Sequence, residues 1–212
     1  MITHDVTIVG AGPVGLATAI FARNAGLSVQ VLDGGAIDGD KACGEGLMPG
    51  TAPLLAELGI DPPGHALEGV VYHQGSTRVE HLFPGKPGRG VRRIALRDAL
   101  VQRAHDGGVV IERAKYVSLT QDAHSATVTT DSGQHLTSRY VIGCDGLHSR
   151  VAEDLGVVKK APRGAKRYGL RQHFAVSPWS SNIEVFYSPD AEVYITPVSS
   201  DTVGVAVLGP KG

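Results

Sequence analysis

The sequence predicts an α/β protein: a parallel sheet carrying a helix, joined to an antiparallel β layer. Two observations predict it. Residues Asp5–Asp33 read as strand, glycine turn, helix and strand, the opening of a parallel β-α-β unit. From Arg167 onward the chain shows only short strand-like runs punctuated by turn residues, as an antiparallel sheet does.

Val6-Thr7-Ile8-Val9 has the apolar character of a strand buried on both faces. Gly10, Gly12 and Gly15 follow with G-x-G-x-x-G spacing, with Pro13 and Val14 between the last two. Leu16, Ala19, Ile20 and Ala22 then recur at helical intervals, Gly26 ends that helix, and Ser28–Leu32 is a second strand closed by Asp33. Each position has a chemical reason. Gly10 lets the chain turn sharply off the strand. Gly12, without a Cβ, lets a pyrophosphate approach the main chain, and Gly15 lets the helix pack close to the sheet. Unpaired N–H groups and the dipole at the helix start attract phosphate. An acid slightly more than about 20 residues beyond the glycines accepts hydrogen bonds from an adenosine ribose. The stretch therefore predicts a bound dinucleotide.

Gly34–Pro49 has five glycines in sixteen residues and reads as a loop able to lie against a flat ligand. Thr51 caps a short helix through Leu58, with Pro53 in its first turn and Gly59 beyond its end. Val70–Gln74 and Thr77–Phe83 are strands joined at Gly75-Ser76, and Pro84–Gly90 is a surface loop. Leu96–Asp106 is a helix stopped by Gly107-Gly108, and Val109–Ile111 a short strand. Ala114–Thr137 alternates as a small meander, Tyr140–Gly143 runs as a strand into Cys144-Asp145-Gly146, and Ser149 caps a helix through Leu155. The last strands are Tyr168–Val176, Asn182–Tyr187, Glu192–Thr196 and Thr202–Leu208. This order assigns 1–69 and 91–165 to a nucleotide-binding domain, and 70–90 and 166–212 to a β-rich substrate portion.

Composition excludes several classes. The 212 residues are 42% hydrophobic and 19% charged, and the net charge of -1 offers nothing to nucleic acid or an acidic membrane surface. No apolar run approaches the roughly 20 residues of a membrane span, and Met1–Asp5 lacks the start of a signal peptide. A cytoplasmic protein without a membrane span or nucleic-acid partner is expected. Cys43 and Cys144 are too few for a disulfide framework. The nine histidines fall at no metal-ligand spacing, so no metal site is expected. A nucleophile elbow is absent, which argues against a hydrolase. A nicotinamide dehydrogenase continues strand and helix directly. Here a glycine loop and a β-rich excursion intervene before a strand returns at Tyr140, which favours FAD.

Three motifs make that choice more specific: GAGPVG at Gly10–Gly15, KACGEGLMP at Lys41–Pro49 and GCDGLHSRV at Gly143–Val151. With Arg93, Arg97 and Leu100 at a helix start, they resemble the FAD-dependent oxidoreductases of the para-hydroxybenzoate hydroxylase type and the geranylgeranyl reductases. The resemblance implies a glutathione-reductase-type FAD-binding domain with an antiparallel β substrate layer. By that resemblance Gly10, Gly12, Pro13, Val14 and Gly15 hold the pyrophosphate, and Asp33 holds the ribose with Gly34 beside it. Lys41, Cys43 and Gly44 lie along the ribityl or isoalloxazine. Arg97 reaches the FAD from its helix, and Asp145 with Gly146 contacts the sugar-phosphate part.

Cys43 and Glu45 are the candidate catalytic residues. The cysteine matches one near the flavin in some geranylgeranyl reductases; its ordinary alternative is a small loop residue that fits. Glu45 can orient substrate or donate a proton, its ordinary alternative being a solvated loop carboxylate. The implied activity is oxidation or reduction of a small, mostly apolar organic substrate, a lipid-like one included. NAD(P)H reduces the flavin, and the outcome is monooxygenation or double-bond reduction. The family's later Gly-Asp motif has no counterpart after Arg150, so the chain is expected to match about the first half of a typical member. Two other readings stand beside this one: a non-catalytic nucleotide-binding fragment, and an NAD-dependent dehydrogenase.

Overall fold

β1 (His4–Val9) leads through the glycine turn into α1 (Pro13–Asn24) and back to β2 (Val29–Leu32). Next come β3 (Gly46–Leu47), α2 (Thr51–Leu58), β4 (His65–Leu67), the hairpin β5 (Gly69–Gln74) and β6 (Thr77–Leu82), and β7 (Gly88–Gly90). Then follow α3 (Arg93–Asp106), β8 (Val110–Glu112), β9 (Tyr116–Gln121), β10 (Ala126–Thr130), β11 (His135–Gly143) and α4 (Arg150–Asp154). The chain finishes with β12 (Tyr168–Ala175), β13 (Asn182–Tyr187), β14 (Glu192–Pro197) and β15 (Thr202–Gly209). This is a computed structural model, and it describes residues 2–35, 40–158 and 166–210. Among them, no helix is long and apolar enough to cross a membrane.

The fold separates into two units, Met1–Gly39 with Arg97–Lys160, and Asp40–Leu96 with Ala161–Gly212. The first is built on a six-stranded sheet in the order β8-β2-β1-β11-β10-β9. Its first four strands are parallel, and β9, β10 and β11 form the antiparallel meander. Val9 lies level with both Leu32 and Gly143. Gly10, Asp33 and Cys144 therefore leave the sheet at one carboxyl edge, where open parallel sheets bind ligands. Ile8 and Val31 in the sheet, and Leu16 and Ile20 on α1, are at most 1% exposed. Each contributes roughly 1.5–3 kcal/mol of burial. A second cluster gathers Val9, Leu32, Ala114, Val128, Leu136 and Val151.

The second unit carries a six-stranded sheet, β12-β15-β14-β13-β5-β6, and a three-stranded one, β3-β7-β4. The large sheet is antiparallel except where β13 runs parallel to β5. That junction qualifies the purely antiparallel layer expected from the sequence, and it arises because β5 comes from an earlier stretch of chain. Leu67, Val70, Ile183 and Val185 pack between its elements, with Phe83 and Tyr194 against them.

Two expectations need correction. The stretch Pro84–Gly90 is not all surface loop: Gly88–Gly90 forms β7, paired with β3 and β4. A Cβ at Gly88 would lie 2.7 Å from the Leu47 carbonyl oxygen, and one at Gly90 only 1.7 Å from that of Pro197. The strand exists because its glycines leave room, and glycines carry no periodicity to read. The division of the chain also differs. Residues 40–69 and 91–96 fall with the β-rich unit, since β3 and β4 pair with β7, β5 pairs with β13, and Val91 N–H donates to the Glu45 carbonyl.

Candidate functional site

At the carboxyl edge of the first unit, Gly10 turns with φ +105, and a Cβ there would lie 2.4 Å from the Cys144 carbonyl oxygen. Its N–H donates to the Leu32 carbonyl at 2.7 Å, and Cys144 N–H donates to the Val9 carbonyl at 2.7 Å. A Cβ at Gly15 would come 1.9 Å from the Gly10 carbonyl oxygen, so the first turn of α1 sits directly on the glycine turn. Gly12 is different, because a Cβ there meets nothing within 4 Å. It is the N-cap of α1 and gives no side-chain cap, Pro13 is in the first turn, and no acid lies in that turn. Val14 is exposed. An open, uncapped helix start suits an anion, since its N–H groups and dipole both favour negative charge.

Asp33 stands beside this turn. Its Oδ1 accepts from Gly35 N–H at 3.0 Å, and its Oδ2 lies 3.8 Å from Arg97 Nη2. Both side chains are about a quarter exposed, 27% and 21%, so the carboxylate keeps accepting capacity for a sugar hydroxyl. Gly34 has a packing reason of its own, as a Cβ there would be 2.5 Å from Lys115 Cγ.

The Cys144-Asp145-Gly146 turn is bonded to the start of α4. Asp145 Oδ1 accepts from Ser149 Oγ at 2.5 Å, and Oδ2 accepts from Arg150 N–H at 2.7 Å and Val151 N–H at 3.2 Å. Ser149 Oγ in turn accepts from Ala152 N–H. The Asp145 side chain thus accepts at the start of α4, because a short helix leaves its N–H groups in need of acceptors. Gly146, at φ +87 with open space around it, offers only main chain. Burial pushes the Cys144 thiol up, the Thr18 hydroxyl opposes this, and the Asp145 carboxylate adds to it. Both cysteines are free.

In the second unit, the loop Asp40–Leu47 crosses one face of the large sheet. Thr196 Oγ1 donates to the Gly44 carbonyl at 2.8 Å, and a Cβ at Gly46 would be 2.7 Å from Ile183 Cδ1. Cys43, Ala42 and Gly44 line a cavity of about 260 Å³ with Leu170, Tyr194 and Leu208. Tyr194 donates to Glu192, which with burial pushes its phenol up to about 12, so the wall it forms is neutral. Glu45 N–H donates to Cys43 Sγ at 3.4 Å. Lys41 is exposed.

Glu45 is not the solvated carboxylate that a glycine loop suggests. Its side chain is 1% exposed and meets His173 Nε2 at 2.7 Å and Arg171 Nη1 at 3.6 Å. It also accepts the Arg93 N–H at 2.8 Å, which explains why α3 begins at Arg93, ahead of its first apolar residue. Both of its oxygens are thus engaged by the protein itself, Oε1 by the Arg93 N–H and Oε2 by His173. Arg171 and His173 were invisible in sequence as a site. The one signal was their i, i+2 spacing on a strand, which puts both on one face.

A family model described as FAD binding domain matches residues 3–210. The chain belongs to this family. Among curated proteins it is similar to the menaquinone reductase of Mycobacterium tuberculosis H37Rv, 31% identical over 96% of this chain and 54% of that protein. It is also similar to the putative FAD-dependent monooxygenase YetM of Bacillus subtilis, at 25% identity over 96% of this chain and 59% of the relative. Among solved structures, p-nitrophenol 4-monooxygenase PnpA from Pseudomonas putida superposes with a TM-score of 0.83 at 20% identity, covering 97% of this chain and 58% of that one. The probable FAD-dependent monooxygenase pqsL from Pseudomonas aeruginosa gives 0.80 at 18%, covering 98% and 60%. These likenesses show the fold. The chain spans about half the length of the curated relatives it matches.

Proposed function

We propose that this protein is an FAD-dependent oxidoreductase acting on a small, mostly apolar organic molecule, with NAD(P)H as the electron donor. One observation carries the cofactor half of this reading: space is left free at Gly12 over an uncapped helix start, while Gly10 and Gly15 are packed solid. The main chain of Gly12–Gly15 binds the FAD pyrophosphate, and Asp33 accepts from the adenosine ribose with Arg97 steadying it. At Asp145-Gly146 the main chain, not the carboxylate, faces the cofactor. When bound, FAD supplies two-electron redox chemistry; the protein orients substrate and excludes water.

The substrate half rests on the cavity at Cys43, whose walls are Ala42, Leu170, Ala206 and Leu208 with a neutral tyrosine. Such a site takes an apolar molecule and rejects a charged one. Similarity to a menaquinone reductase favours reduction, and menaquinone or a molecule like it is the first substrate to test. Monooxygenation is the second reading, favoured by the similarity to proteins named as monooxygenases.

Released cofactor mass and the visible spectrum test the first half; FAD is expected, and a colourless protein that takes up ADP but not FAD overturns it. Incubation with NADPH and menaquinone then separates the outcomes. A product two mass units heavier supports reduction, and one oxygen heavier with matching oxygen uptake supports monooxygenation. NADPH left unconsumed with every apolar substrate, in protein carrying FAD, would refute the enzymatic reading.

A further inference from the structure

We propose that Arg171 and His173 are positioning residues: through the Glu45 carboxylate they set the placement of the Cys43–Glu45 loop, and with it the wall of the cavity at Cys43. This rests on the reading of that cavity as the substrate site.

Glu45 has φ 58, the left-handed region, and sits between Gly44 and Gly46. A third glycine would make the turn without strain, so the position is occupied for its side chain. That side chain is a charge 1% exposed, and a buried charge persists only when it is paired and hydrogen-bonded. The pairing is complete. His173 Nε2 meets Oε2 at 2.7 Å, and Arg93 N–H donates to Oε1. Arg171, itself 8% exposed, places Nη1 3.6 Å from Oε1 and Nη2 2.5 Å from Asp40 Oδ2. One guanidinium thus joins both ends of the loop, Asp40 before Cys43 and Glu45 after it.

The sheet is shaped to receive this arrangement. His173 lies opposite Gly204 in register, and a Cβ at Gly204 would come 2.9 Å from Glu45 Oε2. A Cβ at Gly169 would be 3.3 Å from that of Ala42. Any shift of the carboxylate passes to Cys43 through two residues and the Glu45 N–H···Sγ bond. Two other anchors, Thr196 to the Gly44 carbonyl and Val91 N–H to the Glu45 carbonyl, need no charge. Loss of the clamp therefore displaces the loop without freeing it.

The test is alkylation of Cys43 by iodoacetamide in the intact chain, followed by peptide mass well below the melting temperature, with Cys144 as internal reference. His173→Gln is expected to raise the Cys43 rate about tenfold as the displaced loop uncovers the thiol. Gly204→Ala, which leaves every charge in place, is expected to raise it by a similar factor. Arg171→Lys, which keeps the charge, should stay within about threefold of wild type. Arg78→Gln, which breaks an ion pair on β6, should move neither thiol. Cys43 rates within about twofold of wild type in both His173→Gln and Gly204→Ala would overturn the proposal. The readout needs neither bound FAD nor turnover, so failure of the functional reading and failure of the clamp give different results.

Discussion

The turn at Gly10–Gly15 and the loop at Cys43–Gly46 are both glycine-rich, and both lie against a sheet. They differ in what fills the space the glycines create. In the second, Ile183 fills it at Gly46, and Gly204 of β15 makes room for the Glu45 carboxylate, while Gly44 is left open. In the first, Gly10 and Gly15 touch protein, yet Gly12 faces open space above an uncapped helix. A glycine packed against its own chain serves the fold; open space at a glycine suits a ligand where, as at Gly12, it lies over an uncapped helix start. The two loops also use acids differently. Asp33 is paired at 3.8 Å and partly exposed, whereas Glu45 is buried among donors.

That contrast can be broken by substitution. The largest effect is expected from Arg171→Met, which strips the guanidinium from two carboxylates and should cost about 3–5 kcal/mol in chemical denaturation. Asp33→Asn, at the partly exposed pair, should cost under about 1 kcal/mol. Equal losses at the two sites would erase the distinction between the loops. Next comes Gly10→Ala, where both φ and a 2.4 Å approach oppose a side chain. About 3 kcal/mol is expected, seen as a melting temperature lower by roughly 6–12 °C.

Gly12→Ala sharpens the comparison most directly. Its stability should stay within about 0.5 kcal/mol of wild type. FAD affinity, measured by titration of the apoprotein, should fall about tenfold, or about 1.4 kcal/mol. Unchanged affinity would remove Gly12 from the cofactor site.

The smallest effect concerns Asp5, which bonds the Ser28 backbone N–H and hydroxyl and also meets Arg139. The Ser28 backbone N–H is the chief cause lowering its pKa from 3.8 to about 2, followed by the Ser28 hydroxyl and Arg139. A depressed folded-state value means that the stabilisation is present above about pH 4 and is lost as the pH falls toward about 2. Asp5→Asn should flatten the stability curve over that window alone. The remaining acid loss would belong to Asp122, Asp201 and Glu192, which are also lowered.

What the sequence by itself determined is local. Three glycines at fixed spacing, a strand before them, and an acid at the end of the next strand are enough to specify a turn, a helix start and the edge where both emerge. Backbone sterics and strand periodicity act over a few residues, so they can be read in order along the chain. The tertiary structure alone decided the rest. Gly88–Gly90 became a strand because Leu47 and Pro197 approach it from elsewhere. Asp145 became a helix cap because α4 folds back onto it. Glu45 became a buried anion because His173 and Arg171, more than a hundred residues away, lie under its loop. Burial and ion pairing are set by whatever distant chain arrives, and no spacing between neighbours in a sequence records that arrival.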